Sequence, residues 1–186
     1  MRNEQVLAIL RGCECVRDGH FLLPSGMHAD RFCQCAILLQ YPDKAREVVE
    51  ALADQVRLLE ATAVVGPAMG GIIVAYEIAR QLGIRGMFTE RWDGIMQLRR
   101  GFRLGQDDRV LIAEDVVTTG KSTLETIRYI ERQGAKVAGL CCLVDQRTPE
   151  VNLPMELYSA TQLTINTYAK DKCPICQEKI PLTKTP

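Results

Sequence analysis

Glu114 and Asp115 stand back to back, and a run of small, hydroxyl-rich residues follows two positions later: Thr118-Thr119-Gly120-Lys121-Ser122-Thr123. Paired carboxylates accept hydrogen bonds from adjacent hydroxyls. A hydroxyl-rich turn opening a helix collects free backbone N–H groups and the positive end of the helix dipole, which together favour a phosphate. The neighbouring residues supply that setting. Val110-Leu111-Ile112-Ala113 is a short continuous apolar run, as expected of a strand buried on both faces of a parallel sheet. Leu124, Ile127 and Ile130 recur at helical spacing after the turn. Gly120 has no Cβ and lets the backbone come close to a ligand. Gly120-Lys121-Ser122 also matches the end of a Walker A loop, but that pattern needs a glycine where this chain has Asp115. The Walker reading therefore fails. The chemistry implied is recognition of a ligand with both hydroxyls and a phosphate, such as a ribose 5-phosphate. A plainer reading, in which the acids cap the helix or balance Lys121, accounts for one carboxylate but not for the whole stretch.

A second turn of interest is Gly66-Pro67-Ala68-Met69-Gly70-Gly71, between the apolar strand Thr62-Ala63-Val64-Val65 and a helical pattern at Ile72, Ala75, Tyr76, Ala79 and Leu82. It lacks the Gly-x-Gly-x-x-Gly spacing of a dinucleotide fold. A further strand, residues 86–90, runs into a polar segment, residues 91–102, with a turn at Asp93-Gly94 and a basic pair, Arg99-Arg100.

The stretch Glu114-Asp115-Val116-Val117-Thr118-Thr119-Gly120-Lys121-Ser122 resembles the 5-phosphoribosyl 1-diphosphate (PRPP) motif of type I phosphoribosyltransferases, and with its flanks the chain resembles the orotate phosphoribosyltransferase family over nearly its full length. The resemblance implies transfer of the phosphoribosyl group from PRPP to orotate, giving orotidine 5′-monophosphate and diphosphate in de novo pyrimidine (UMP) biosynthesis. It implies that residues 114–122 bind PRPP, that Ala68, Met69, Gly70 and Gly71 hold the diphosphate, and that Glu114, Asp115 and Arg91 are the catalytic residues. Thr118 and Arg147 would contact orotate. Mg²⁺ is expected through PRPP, with no metal site on the protein itself. The resemblance further implies a homodimer in which Arg91 reaches the neighbouring subunit's site. Three positions depart from the family pattern. Pro24 replaces a lysine common before the Ser25-Gly26 turn, no lysine occurs between Lys44 and Lys121 where the flap carries one, and Gln146 separates Asp145 from Arg147. Two alternatives stay open: a phosphoribosyltransferase for another base, and a non-catalytic regulator that senses PRPP.

The elements that must position these residues alternate between strand and helix, which argues for an α/β fold with a largely parallel sheet flanked by helices. A first helix is expected from Val6, then two short strands around Ser25-Gly26, with Phe32 and Cys33 available to a base. An amphipathic helix is expected over residues 43–59, a fourth strand over 135–144, and a helix or strand over 157–168, with 164–168 the best strand candidate. The tail after Lys170 reads as irregular. By resemblance the whole chain, 1–186, is one phosphoribosyltransferase domain, with 41–154 as core and 1–40 plus part of 155–186 as a small hood.

With 186 residues, such a chain buries a core without staples, and its 23 lysines and arginines balance 23 aspartates and glutamates. That balance speaks against a general nucleic-acid or membrane-surface binder. No apolar run is long enough to span a bilayer, so the chain reads as soluble and cytoplasmic. Eight cysteines are present. Cys141 and Cys142 read as buried small hydrophobes, and a disulfide framework is not expected. Cys173 and Cys176 could be half of a zinc site, but such sites need four ligands. They are therefore expected to be free or surface thiols.

Overall fold

The structure is a computed structural model that describes residues 3–185. In chain order the elements are α1 (Asn3–Gly12), β1 (Val16–Leu22), β2 (His28–Cys33), α2 (Cys35–Leu39), α3 (Pro42–Val56), β3 (Ala63–Pro67) and α4 (Gly70–Leu82). There follow β4 (Arg85–Trp92), β5 (Ile95–Leu98), β6 (Arg109–Val117), α5 (Lys121–Arg132) and β7 (Lys136–Asp145). The chain finishes with β8 (Leu157–Gln162), β9 (Thr167–Tyr168), α6 (Pro174–Gln177) and β10 (Thr183–Lys184).

Period-two alternation builds the central sheet. Val64 of β3 and Leu111 and Ala113 of β6 pack with α3 and α4, while Ala63, Val65, Val110 and Ile112 pack with Ile127 and Ile130 of α5. Both faces of these strands are buried, which is why they read as unbroken apolar runs. The order is β5-β4-β3-β6-β7-β8, and only β5 runs antiparallel to its neighbour. The expected α/β fold with a largely parallel sheet is what the chain adopts.

The topology also fixes where a ligand can sit. β3 and β6 are adjacent and parallel. The chain leaves β3 through α4 toward β4 on one side, and leaves β6 through α5 toward β7 on the other. Turns that diverge from neighbouring strand ends open a crevice at the carboxyl edge, the usual ligand position in open α/β sheets.

A second sheet, ordered β10-β1-β2-β9, joins the first hairpin to the last residues. Its Ser25-Gly26 turn is as expected, with the Leu23 N–H donating to Met27 O at 2.9 Å and Gly26 at φ 81°.

Three local expectations change. The helix expected over 43–59 stops at Val56 and closes in a 3₁₀ turn, Arg57–Leu59. The strand in the 157–168 region is Leu157–Gln162, because Leu157 packs on one face of the sheet while Tyr158 and Ala160 pack on the other. Of 164–168 only Thr167–Tyr168 pairs, as Asp30 takes the backbone N–H of Asn166 at 3.0 Å and its side-chain amide at 2.7 Å. The tail is not irregular: α6 forms after Lys170, and β10 lies parallel to β1 with Phe21 opposite Thr183 and Leu22 opposite Lys184. Among the described residues no helix is long and apolar enough to cross a membrane.

Candidate functional site

Glu114 lies near the end of β6 and is 5% exposed. Its Oε1 accepts the Ser122 hydroxyl at 2.7 Å and the Thr123 hydroxyl at 3.2 Å. Strand end and helix start are thereby locked, and Gly120 between them turns the chain at φ 70°. Burial pushes the Glu114 carboxyl up to about 7; the Ser122 bond opposes this and the nearby Asp115 charge adds to it. Asp115, next along the strand, faces the other way. It meets the glycine-rich turn there: a Cβ on Gly70 would lie 2.2 Å from the Asp115 carboxyl carbon. Only glycine permits that approach. Burial raises the Asp115 carboxyl as well. In the same turn the Ala68–Met69 peptide is cis, and the Ala68 N–H donates to Thr89 O at 2.7 Å.

The acidic pair and both turns thus converge from adjacent strands. Residues 116–123, with Arg91 and Gly94, line a cleft of about 420 Å³. Arg91 enters it from β4 of the same chain, donating to Gly94 O at 2.7 Å and pairing with Glu125 of α5. The turn beside it has Asp93 at φ 49° and Gly94 at φ 77°, the two positive values of a type I′ hairpin. Arg99 and Arg100 both reach Glu90, at 3.7 and 2.8 Å.

Thr118 lines a second cleft too, of about 320 Å³, whose other walls include Leu23, Phe32, Cys33, Gln146 and Thr148. The hairpin β1–β2 therefore roofs a space that opens beside the 118–122 turn. A further opening, about 480 Å³, contains Asp145 and Arg147 but not Glu114, Asp115 or the 118–122 turn. Its size gives it no chemistry. Arg147 is held by Asp145, with Nε on Oδ1 at 2.9 Å and a terminal nitrogen on Oδ2 at 2.7 Å. Burial would raise the Asp145 carboxyl, but these bonds outweigh it and leave it lowered. Of the two residues expected to meet orotate, Thr118 joins the cleft under the hairpin and Arg147 lines the neighbouring one.

Gln146 lines both openings, and its buried Nε2 has no hydrogen-bond partner among the described residues. A buried amide without a partner is costly unless a ligand or water completes it. The sequence carries no signal for this role beyond the position of Gln146 between Asp145 and Arg147.

The cysteines depart most from expectation. All eight are free of disulfides, and Cys141 and Cys142 are buried as expected. Cys173, however, is no surface thiol. It is buried, and with Cys176, His20 and His28 it brings four ligand atoms within 4.8 Å of one another. Cys15, Cys33 and Cys35 form a smaller group by the same measure.

Residues 37–167 match the family model described as "Phosphoribosyl transferase domain". An orotate phosphoribosyltransferase from Caldanaerobacter subterraneus subsp. tengcongensis is 44% identical over 184 residues, covering 99% of this chain and 97% of the relative. The fold is similar to the crystal structure of orotate phosphoribosyltransferase from Aeropyrum pernix, with a TM-score of 0.73 at 24% identity over 85% of this chain and 93% of that one. It is also similar to a phosphoribosyltransferase from Corynebacterium diphtheriae, with a TM-score of 0.71 at 21% identity over 86% of this chain and 95% of that one. Kinship along almost the whole length decides the family, and the chain belongs to the orotate phosphoribosyltransferase family of phosphoribosyltransferases.

Proposed function

We propose that the protein transfers the 5-phosphoribosyl group of PRPP to orotate, giving orotidine 5′-monophosphate and diphosphate, a step of pyrimidine nucleotide biosynthesis. The observation that carries this reading is the meeting of Asp115 with Gly70 beside the 116–123 cleft. It sets a carboxylate between a phosphate turn and a glycine-rich turn.

The 118–122 turn takes the 5-phosphate on backbone N–H groups at the start of α5, with Lys121 adding charge. Asp115 and Glu114 accept the ribose hydroxyls. The Ala68–Gly71 turn donates backbone N–H groups to the diphosphate. Displacement at the anomeric carbon leaves positive charge on the ribose ring, which the two carboxylates favour. The departing diphosphate gathers negative charge, which Arg91 and the turn amides oppose. Thr118, common to both clefts, touches the base. The Gln146 amide, without a partner among the described residues, is a further donor for an orotate oxygen. Arg147 contacts the base only if it exchanges Asp145 for the orotate carboxylate.

The residues lining the phosphate cleft offer hydroxyl and backbone oxygens, and neither thiol nor imidazole is among them. Such surroundings suit a hard cation carried by PRPP's own oxygens. When bound, Mg²⁺ supplies Lewis-acid neutralisation of the diphosphate.

One functional unit spans 1–186, with 41–154 as core and 1–40 plus part of 155–186 as hood. Support comes from Phe32 and Cys33 of β2, which wall the Thr118 cleft. The assembly is a homodimer. Its support is the apolar stripe Met69, Ile73 and Tyr76, exposed at helical spacing along α4 and the turn before it.

The deciding experiment is diphosphate release from PRPP and Mg²⁺ with orotate, adenine, hypoxanthine and uracil in parallel. Turnover with orotate alone is expected. Turnover with another base would keep the chemistry and reject orotate, whereas PRPP binding without turnover would make the protein a sensor.

A further inference from the structure

We infer that His20, His28, Cys173 and Cys176 bind one structural Zn²⁺ ion that fastens the C-terminal tail to the first hairpin. The four residues come from three places: His20 on β1, His28 on β2, and the Cys173-Pro174-Ile175-Cys176 turn that opens α6. His20, His28 and Cys173 are 3%, 2% and 1% exposed, and Cys176 opens the site to solvent.

Three of the six ligand-to-ligand edges match those of a tetrahedral ion, and all six lie within 4.8 Å. Sulfur-to-nitrogen separations are 3.6 Å for Cys173 to His20 Nε2, 3.7 Å for Cys176 to His20 Nε2 and 3.3 Å for Cys176 to His28 Nδ1. Zinc–nitrogen and zinc–sulfur bonds of ordinary length at tetrahedral angles give edges of about 3.3–3.8 Å. The His20 Nε2 to His28 Nδ1 edge is shorter, at 2.8 Å, and opens by a few tenths of an ångström when an ion enters.

A metal-free hydrogen-bond network explains the cluster less well. His20 Nδ1 lies 2.8 Å from the carbonyl oxygen of Ile180 and so carries the proton. Nε2 is then left with a single lone pair, yet His28 Nδ1 and both sulfurs crowd around it. One cation at the centre satisfies all four atoms together. The bond to Ile180 is also the outer contact that a ligating histidine makes, fixing its tautomer and ring. Two thiolates with two imidazoles in tetrahedral array select Zn²⁺ over harder cations.

The ion would work with short elements that cannot hold themselves. β10 pairs with β1 over two residues, and α6 is four residues long. Metal ligation supplies the closure that so little hydrogen bonding lacks.

The test starts with the full chain purified without chelator, its metal content measured by mass spectrometry. About one zinc per chain is expected, falling below about a tenth in Cys173→Ser/Cys176→Ser. Zinc retained in that variant would locate the metal elsewhere and overturn the assignment, as would a Cys173–Cys176 disulfide in the native protein. Because the variant can misfold, the wild-type chain stripped of metal is titrated with Co²⁺. A thiolate-to-cobalt charge-transfer band with tetrahedral d–d bands is expected, and their absence overturns the site. Hydrogen exchange should then accelerate over residues 170–185 when zinc is removed; unchanged exchange there would refute the fastening role.

Discussion

Glu114 titrates near neutrality because burial works against its charge, and the two hydroxyls on its Oε1 recover only part of the loss. The raised value means that the folded chain holds a proton that the unfolded chain has already released. Stability owed to this group is therefore full at acid pH and falls as pH rises from the ordinary carboxylate range through about 7. A ligand offering ribose hydroxyls favours the charged form, so PRPP binding near neutral pH should expel a fraction of a proton. Calorimetry in two buffers of different ionisation heat would reveal it, and Glu114→Gln should abolish it; equal proton release in the variant would assign the effect to another group. Asp115 is exposed to a different test. Asp115→Asn keeps the shape of the side chain and removes its charge, so turnover should drop by ~10²-fold or more while the melting temperature barely moves. Near-normal turnover would take the carboxylate out of the mechanism. Gln146→Leu should raise KM for orotate several-fold and leave KM for PRPP alone, since its amide lies in the cleft under the hairpin.

At the scale of elements, the site is made by two turns that leave neighbouring strands in opposite directions. Gly70→Ala probes that meeting directly. Its methyl group would overlap the Asp115 carboxyl, so the Asp115 side chain, the strand end or the glycine-rich turn must move. The expected result is loss of activity comparable to that of Asp115→Asn in a protein that still melts cooperatively; wild-type kinetics would mean that the contact is dispensable. These elements were readable in the amino-acid sequence for physical reasons. β3 and β6 are buried on both faces and so spell unbroken apolar runs, and α3 and α5 are long enough to show their period. The 118–122 turn was readable because its parts are contiguous. Other parts were hidden by the same logic. β9, α6 and β10 have two to four residues each, too few to show any period. His20 and Cys173 lie 153 positions apart, and the pairing of β9 with β2 and of β10 with β1 brings them together. Gln146 is a single side chain, and only the structure reveals that its buried Nε2 lacks a hydrogen-bond partner among the described residues.

On the scale of the whole molecule, the monomer leaves Met69, Ile73 and Tyr76 81%, 49% and 67% exposed beside the proposed site. Tyr76→Glu should convert a dimer to monomer by light scattering; an unchanged mass would move the interface elsewhere. Arg91 poses a separate question, because it lines the cleft of its own chain. Mixing Arg91→Ala with Asp115→Asn decides it. If Arg91 serves the partner's site, mixed dimers regain one intact site and about a quarter of wild-type activity returns. If it serves its own, the mixture stays inactive.

The small sheet has a consequence for synthesis on the ribosome. By residue 162 every strand of the six-stranded sheet has been made, whereas β1 and β2 still wait for β9 and β10. A nascent chain can therefore hold a folded floor and the 118–122 turn well before its roof closes over the cleft. The roof would be completed last, with the final strand, so an arrested or clipped product would carry the six-stranded floor beneath an open cleft.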